Sequence, residues 1–90
     1  MAAHNRRQTK LTPLVELTEL LVRAIVREPD AVSVHDAERN GMPVLVISVE
    51  EQDRGAVIGR QGRTIKAIET ILDAASTGPD QRPGLDVQTT

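Results

Sequence analysis

The sequence contains no cysteine and no phenylalanine, tyrosine or tryptophan among its 90 residues. Without cysteine, disulfides, thiolate metal sites and thiol nucleophiles are excluded. Without aromatic rings, the chain cannot bind single strands by stacking bases on them, as RRM and OB-fold platforms do. Histidine is nearly as scarce. His4 and His35 are far apart in sequence and neither lies in a cluster of carboxylates, so no metal site and no histidine acid–base pair is expected. No apolar run approaches the ~18 residues of a membrane-spanning helix, and the first residues lack the apolar stretch of a signal peptide. Membrane insertion is therefore not expected, and the expected compartment is the cytoplasm.

What remains is an ordinary composition for one small domain: 39% hydrophobic and 27% charged residues. The net charge of −2 by itself argues weakly against a nucleic-acid partner. Its distribution argues the other way. Between positions 54 and 66 the chain carries Arg54, Arg60, Arg63 and Lys66 and no acid, and every Asp and Glu lies elsewhere. A local positive site on an acidic body suits phosphate recognition.

Residues 1–11, with Arg6, Arg7 and Lys10, read as a flexible N-terminal arm, and residues 12–90 as a single domain. Thr12 is a good helix cap and Pro13 suits a first helical position. Leu14, Leu17, Leu21, Ala24 and Ile25 follow at helical spacing, and Pro29 ends the helix at Glu28. Val15, Leu20, Val22 and Val26 widen the apolar arc to roughly two thirds of the circumference, which fits either deep burial or a partner chain. On the second reading, a charge at Val22 separates partners and spares the fold. Residues 31–37 and 44–49 read as a hairpin closed by Asn40-Gly41, the second strand apolar and β-branched enough to be central. His35 reads as an edge side chain. Asp53 is placed to cap a very short helix over 54–58. A second helix over 63–75 has the core stripe Ile65, Ile68, Leu72 and Ala75, flanked by Ile71. A loop with two prolines then leads to a short last strand over 85–89, which can lie parallel to 44–49 only through a crossover. The expected class is α+β, in the order α-β-β-α-α-β, with a three-stranded mixed sheet and the helices on one face.

The chemistry concentrates in Val57-Ile58-Gly59-Arg60-Gln61-Gly62-Arg63-Thr64-Ile65-Lys66. Two glycines bracket two polar residues between two helices. Glycine accepts positive φ and allows close approach of another backbone, so Gly59 ends one helix and Gly62 opens the next. The N–H groups of a helix start form an anion site. The second helix carries Arg63 and Lys66 first and Glu69 and Asp73 later, the reverse of what its dipole prefers. Each such exposed charge costs about 0.3–1 kcal/mol, which a phosphate bound at the N-terminus would turn into a gain. A plain tight turn with solvated charges explains the glycines alone; it does not explain the charge order. The spacing fits neither G-x-x-x-x-G-K-[ST] nor G-x-G-x-x-G. No nucleophile sits beside a general base, and Ser33 and Ser48 fall in strands, so the chain reads as non-enzymatic and without cofactor.

The stretch from Val57 to Lys66, preceded by Asp53-Arg54-Gly55, resembles the GXXG core of a KH domain, and the element order resembles the bacterial type II KH arrangement. With its Leu/Val-rich first helix ending near Pro29, the chain resembles the small KhpA family of bacterial KH proteins over residues 13–76, and more loosely in the last strand. The resemblance implies single-stranded RNA binding, with Gly59, Arg60, Gln61 and Gly62 gripping the RNA backbone and Arg54, Arg63 and Lys66 adding charge. Val57, Ile58 and Ile65, with Ala56, then form apolar groove walls or the core beneath them. It further implies a homodimer or a heterodimer with a larger KhpB (Jag) type KH protein, and an RNA chaperone role linked to cell-envelope and cell-shape control. Residues 76–84 hold one basic residue, Arg82, so the loop adds little phosphate contact. The competing reading is a protein-interaction module that docks a partner through the apolar first helix and binds little RNA.

Overall fold

The computed structural model describes residues 11–76 and 82–90. Residues 1–10 of the expected arm and 77–81 of the expected loop lie outside them. Helix α1 (Thr12–Arg23) is followed by the hairpin strands β1 (Ser33–Arg39) and β2 (Met42–Val49). The short helix α2 (Arg54–Ile58), the long helix α3 (Arg63–Ala75) and strand β3 (Gly84–Thr89) complete the order. The sheet order is β1-β2-β3, with β1 antiparallel and β3 parallel to β2. This is the expected α+β, mixed-sheet arrangement, with the crossover supplied by α2 and α3.

The hairpin turn follows from two residues. Asn40 and Gly41 both take positive φ, 55° and 78°, as a two-residue type I′ turn requires. Such a turn lets pairing run up to its ends, so Arg39 pairs with Met42 and both strands reach closer to the turn than expected. At its other end β1 starts at Ser33, because Pro29–Ala31 forms a one-turn 3-10 helix in the span assigned to the strand start.

The alternation along β2 separates two faces. Leu45, Ile47 and Val49 are fully buried against α1, α2 and α3 with Val34, Val22, Val57, Ile68 and Leu72. Each such side chain contributes about 1.5–3 kcal/mol relative to exposure. Val46 points the other way, is flanked in register by His35 and Asp86, and is still only 3% exposed. On that same face the Arg39 guanidinium reaches across β2 to the Asp86 carboxylate at 2.7 Å. His35 is exposed at the edge of the sheet, as expected.

Three expectations for α1 and one for α3 need correction. First, α1 begins at Thr12 with Leu11 in the cap position, where the Leu11 carbonyl accepts the Val15 N–H at 2.9 Å. Thr12 is therefore inside the helix, and Leu11 packs on the core. Second, α1 stops at Arg23, well before Pro29. The chain tightens there, with the Ile25 N–H donating to Val22 O at 3.1 Å, and the N–H groups of Arg27 and Glu28 turn to the Asp53 carboxylate at 3.0 Å each. Third, the buried line of α1 is Leu14, Thr18 and Val22, with Leu17 and Leu21 only flanking it. Thr18 can occupy the centre because its hydroxyl donates to the Leu14 carbonyl at 2.7 Å. Val22 is thus a core residue, and of the wide arc Leu20 and, beyond the end of α1, Ile25 stay outside, at 68% and 42% exposure. In α3, Ile68 and Leu72 are buried and Ile65 packs on the core, but Ala75 is exposed at the helix end.

Candidate nucleic-acid interface

Helix α2 has five residues, too few to be stable alone, since isolated helices need about 12–15. Its placement is imposed by anchors. Val57 is fully buried in the core, so among the expected groove residues it seats α2. Ile58 and Ile65 are half-buried and keep accessible surface, and Ala56 is exposed. Arg54 is exposed at the start of α2, about 6 Å along the axis from Ile58.

The turn after α2 is built from three residues at positive φ. Gly59 leaves the helix at φ 81° and ψ 168°, Gln61 takes φ 57° and ψ 27°, and Gly62 takes φ 74° and ψ 16°. The Gly59 N–H donates to Gly55 O at 2.8 Å, and the Gly62 N–H to Gly59 O at 3.1 Å. A Cβ at Gly59 would collide with the Thr64 hydroxyl and come within 2.7 Å of the Thr64 nitrogen; at Gly62 it would meet only Ile65 Cγ2, at 4.0 Å. The two glycines therefore do different work. Gly59 lets the turn fold back onto the start of α3, and Gly62 supplies the left-handed cap from which α3 starts. That the left-handed path also includes Gln61 was not legible, because glutamine carries no such signal.

Around this turn Arg60, Arg63 and Lys66 are exposed. Arg63 Nη2 lies 3.5 Å from Gln61 Oε1, the limit of a hydrogen bond. The ion pairs among the described residues join Arg23 to Glu19, Arg39 to Asp86 and Arg82 to Asp73. None of them engages Arg54, Arg60, Arg63 or Lys66. The first turn of α3 holds no acid and its last turn no base, which preserves the positive end of its dipole. Helix geometry leaves the first N–H groups without intrahelical acceptors. Arg82, in the loop expected to contribute little, is paired with Asp73 at 3.3 Å.

Two residues gain a place that sequence did not give them. Asp53 precedes α2 as expected of a cap, yet makes no capping bond; its carboxylate faces Arg27 and Glu28 instead. Thr64 fills the space a Gly59 side chain would need. Neither contact is signalled locally: one joins segments 25 and 26 residues apart, and the other exists only once the turn has closed. No group of three or more His, Cys, Asp and Glu among the described residues is placed to hold a metal, and none of the helices described is long and apolar enough to cross a membrane.

The family model for the KhpA/KhpB KH domain matches residues 15–87. Among curated relatives, the RNA-binding protein KhpA of Thermotoga maritima is 44% identical over 66% of this chain and 79% of its own. The RNA-binding protein KhpA of Halalkalibacterium halodurans is 38% identical over 79% of this chain and 93% of its own. That of Borreliella burgdorferi is 33% identical over 81% and 89%. No solved structure matches the chain significantly.

Proposed function

The chain belongs to the KhpA/KhpB KH-domain family, which is non-enzymatic, and on that premise we propose that it binds single-stranded RNA through the turn at Gly59–Gly62. The observation that carries this reading is the juxtaposition of a turn stripped of side-chain bulk with exposed cations that no ion pair among the described residues engages. Gly59 and Gly62 let the RNA backbone approach, and Arg60, Arg63 and Lys66 meet its phosphates. Gln61 offers an amide for sugar or phosphate oxygens. The accessible parts of Ile58 and Ile65 form an aliphatic wall for the bases, the substitute for the missing rings, and Val57 holds that wall in place from the core. Arg54, at the far end of α2, adds long-range charge. A GXXG turn of this kind spans about four nucleotides.

The finer reading follows from the family resemblance. The protein acts in the cytoplasm as an RNA chaperone, as a homodimer or with a KhpB/Jag-type KH partner, in post-transcriptional and cell-envelope or cell-shape control. The exposed Leu20 on α1 and Ile71 on α3 support a partner. They would equally serve a protein-interaction module with little RNA binding, and a salt titration separates the two. With about two to four phosphate contacts, log K falls against log salt with a slope of roughly −1.5 to −3. A slope near zero removes phosphate clamping and leaves the interaction module.

A further inference from the structure

Asp53 is 2% exposed, and its carboxylate has no cation partner among the ion pairs described. Its two oxygens are divided between two donors: the Arg27 N–H donates to Oδ1 and the Glu28 N–H to Oδ2, each at 3.0 Å. Asp53 and Val57 are four positions apart and so lie on one face of the α2 turn. Both are buried. Gly55 and Ala56, between them, are exposed. The short helix is thus held at one end by a polar anchor and at the other by an apolar one, and Gly59 follows two residues later. An apolar contact alone permits sliding and rolling, because it has no direction. The pair of hydrogen bonds removes that freedom. They also commit the N–H groups of the segment that follows α1, which leaves helical pairing at Ile25 and reaches Asp53 at Arg27 and Glu28.

We propose that Asp53 is a positioning residue for RNA binding. It fixes the tilt of α2 against the end of α1 and so sets where the turn at Gly59–Gly62 and the first N–H groups of α3 meet phosphate. This rests on the reading of that turn as the RNA grip. A carboxylate is required at position 53, because an amide can accept from one of the two donors but turns its own N–H groups toward the other.

The test is the salt dependence of binding to a short single-stranded RNA by the full chain, compared between wild type, Asp53→Asn and a core variant, Val34→Ala. Thermal melting establishes that each is folded at the assay temperature. A residue that only supports the fold lowers affinity in proportion to the unfolded fraction and leaves the slope of log K against log salt alone. A positioning residue changes the slope, by about 0.7 for each phosphate that the protein no longer neutralises. The expected result for Asp53→Asn is about a tenfold loss of affinity with a shallower slope, while Val34→Ala keeps the wild-type slope. If Asp53→Asn does not fold, Asp53→Glu, which keeps both acceptors but displaces them by one methylene, is read in the same way. A folded variant with the wild-type slope overturns the proposal. A wild-type slope near zero overturns the RNA reading itself, before any variant is compared.

Discussion

At Gly59 the backbone lies at φ 81° and ψ 168°, a region that residues with a side chain essentially do not enter, at a cost of about 1–3 kcal/mol. The Thr64 side chain and nitrogen already occupy the position of a Cβ there, so Gly59→Ala adds a collision to the strain. Gly62, at φ 74° and ψ 16°, is in the left-handed region that asparagine also visits, and a Cβ there meets no atom closer than 4.0 Å. Melting followed by circular dichroism therefore ranks the two positions: Gly59→Ala loses well over 10 °C, at about 4–8 °C per kcal/mol, whereas Gly62→Asn stays within about 1 kcal/mol of wild type. Equal losses at both sites contradict this account of the turn. That both positions leave the ordinary helical backbone is legible in sequence. The steric reason for Gly59 is not, because Thr64 reaches that space only in the closed turn.

Elements of the fold were legible in proportion to how local their determinants are. Asn40-Gly41 states the hairpin turn, the apolar run of β2 states a central strand, and the span of α3 follows from its glycine start and its Ile68–Leu72 stripe. Sequence places the end of α1 too late, because Pro29 is a local stop signal whereas the chain already tightens at Ile25 and then turns its N–H groups to Asp53, which is not local. The turn between α2 and α3 can be tested as an element by Arg60→Asp with Gln61→Asp. Both side chains are exposed, and aspartate tolerates the left-handed conformation at position 61, so melting is expected within about 0.5 kcal/mol of wild type. Anisotropy is expected to show RNA binding abolished, since a cation is removed and two carboxylates face the phosphates. A stable variant that binds like wild type places the RNA site elsewhere. A second element-scale test concerns the sheet. The hydrogen bond from Arg39, then that from Gln88, lowers the Asp86 carboxyl below its ordinary 3.8. A lowered folded-state pKa means stability that is present above about 3.8 and lost as pH falls through the folded value. The partly exposed pair contributes about 0.2–1 kcal/mol. Denaturant titrations of wild type and Asp86→Asn should differ by that amount at pH 6 and converge in acid as the folded-state carboxyl takes up its proton; a gap unchanged by acid rules out the pair as its source.

For the whole molecule, the width of the apolar arc on α1 was legible, but its division between core and surface was not. Burial depends on the angle at which α1 meets the sheet and α3, and sequence periodicity does not state that angle. With Val22 fully buried, a glutamate there places an unpaired charge in the core at a cost of several kcal/mol, and Val22→Glu is expected to unfold the chain. Leu20 is the position that separates association from folding, because it is 68% exposed and truncating or charging it removes little from the core. Ile71, on the outer side of α3, is 42% exposed, and α1 and α3 pack against each other. Sedimentation equilibrium at high protein concentration is expected to show wild-type self-association, or pairing when a KhpB-type KH protein is added, that Leu20→Glu weakens while its melting curve and RNA affinity stay at wild-type values. The RNA control matters because Leu20 lies on α1 and the proposed grip lies between α2 and α3. A wild-type chain that stays monomeric and pairs with no KH protein refutes the partner reading and leaves RNA binding standing; a Leu20→Glu variant that associates as well as wild type moves the interface off the exposed side of α1.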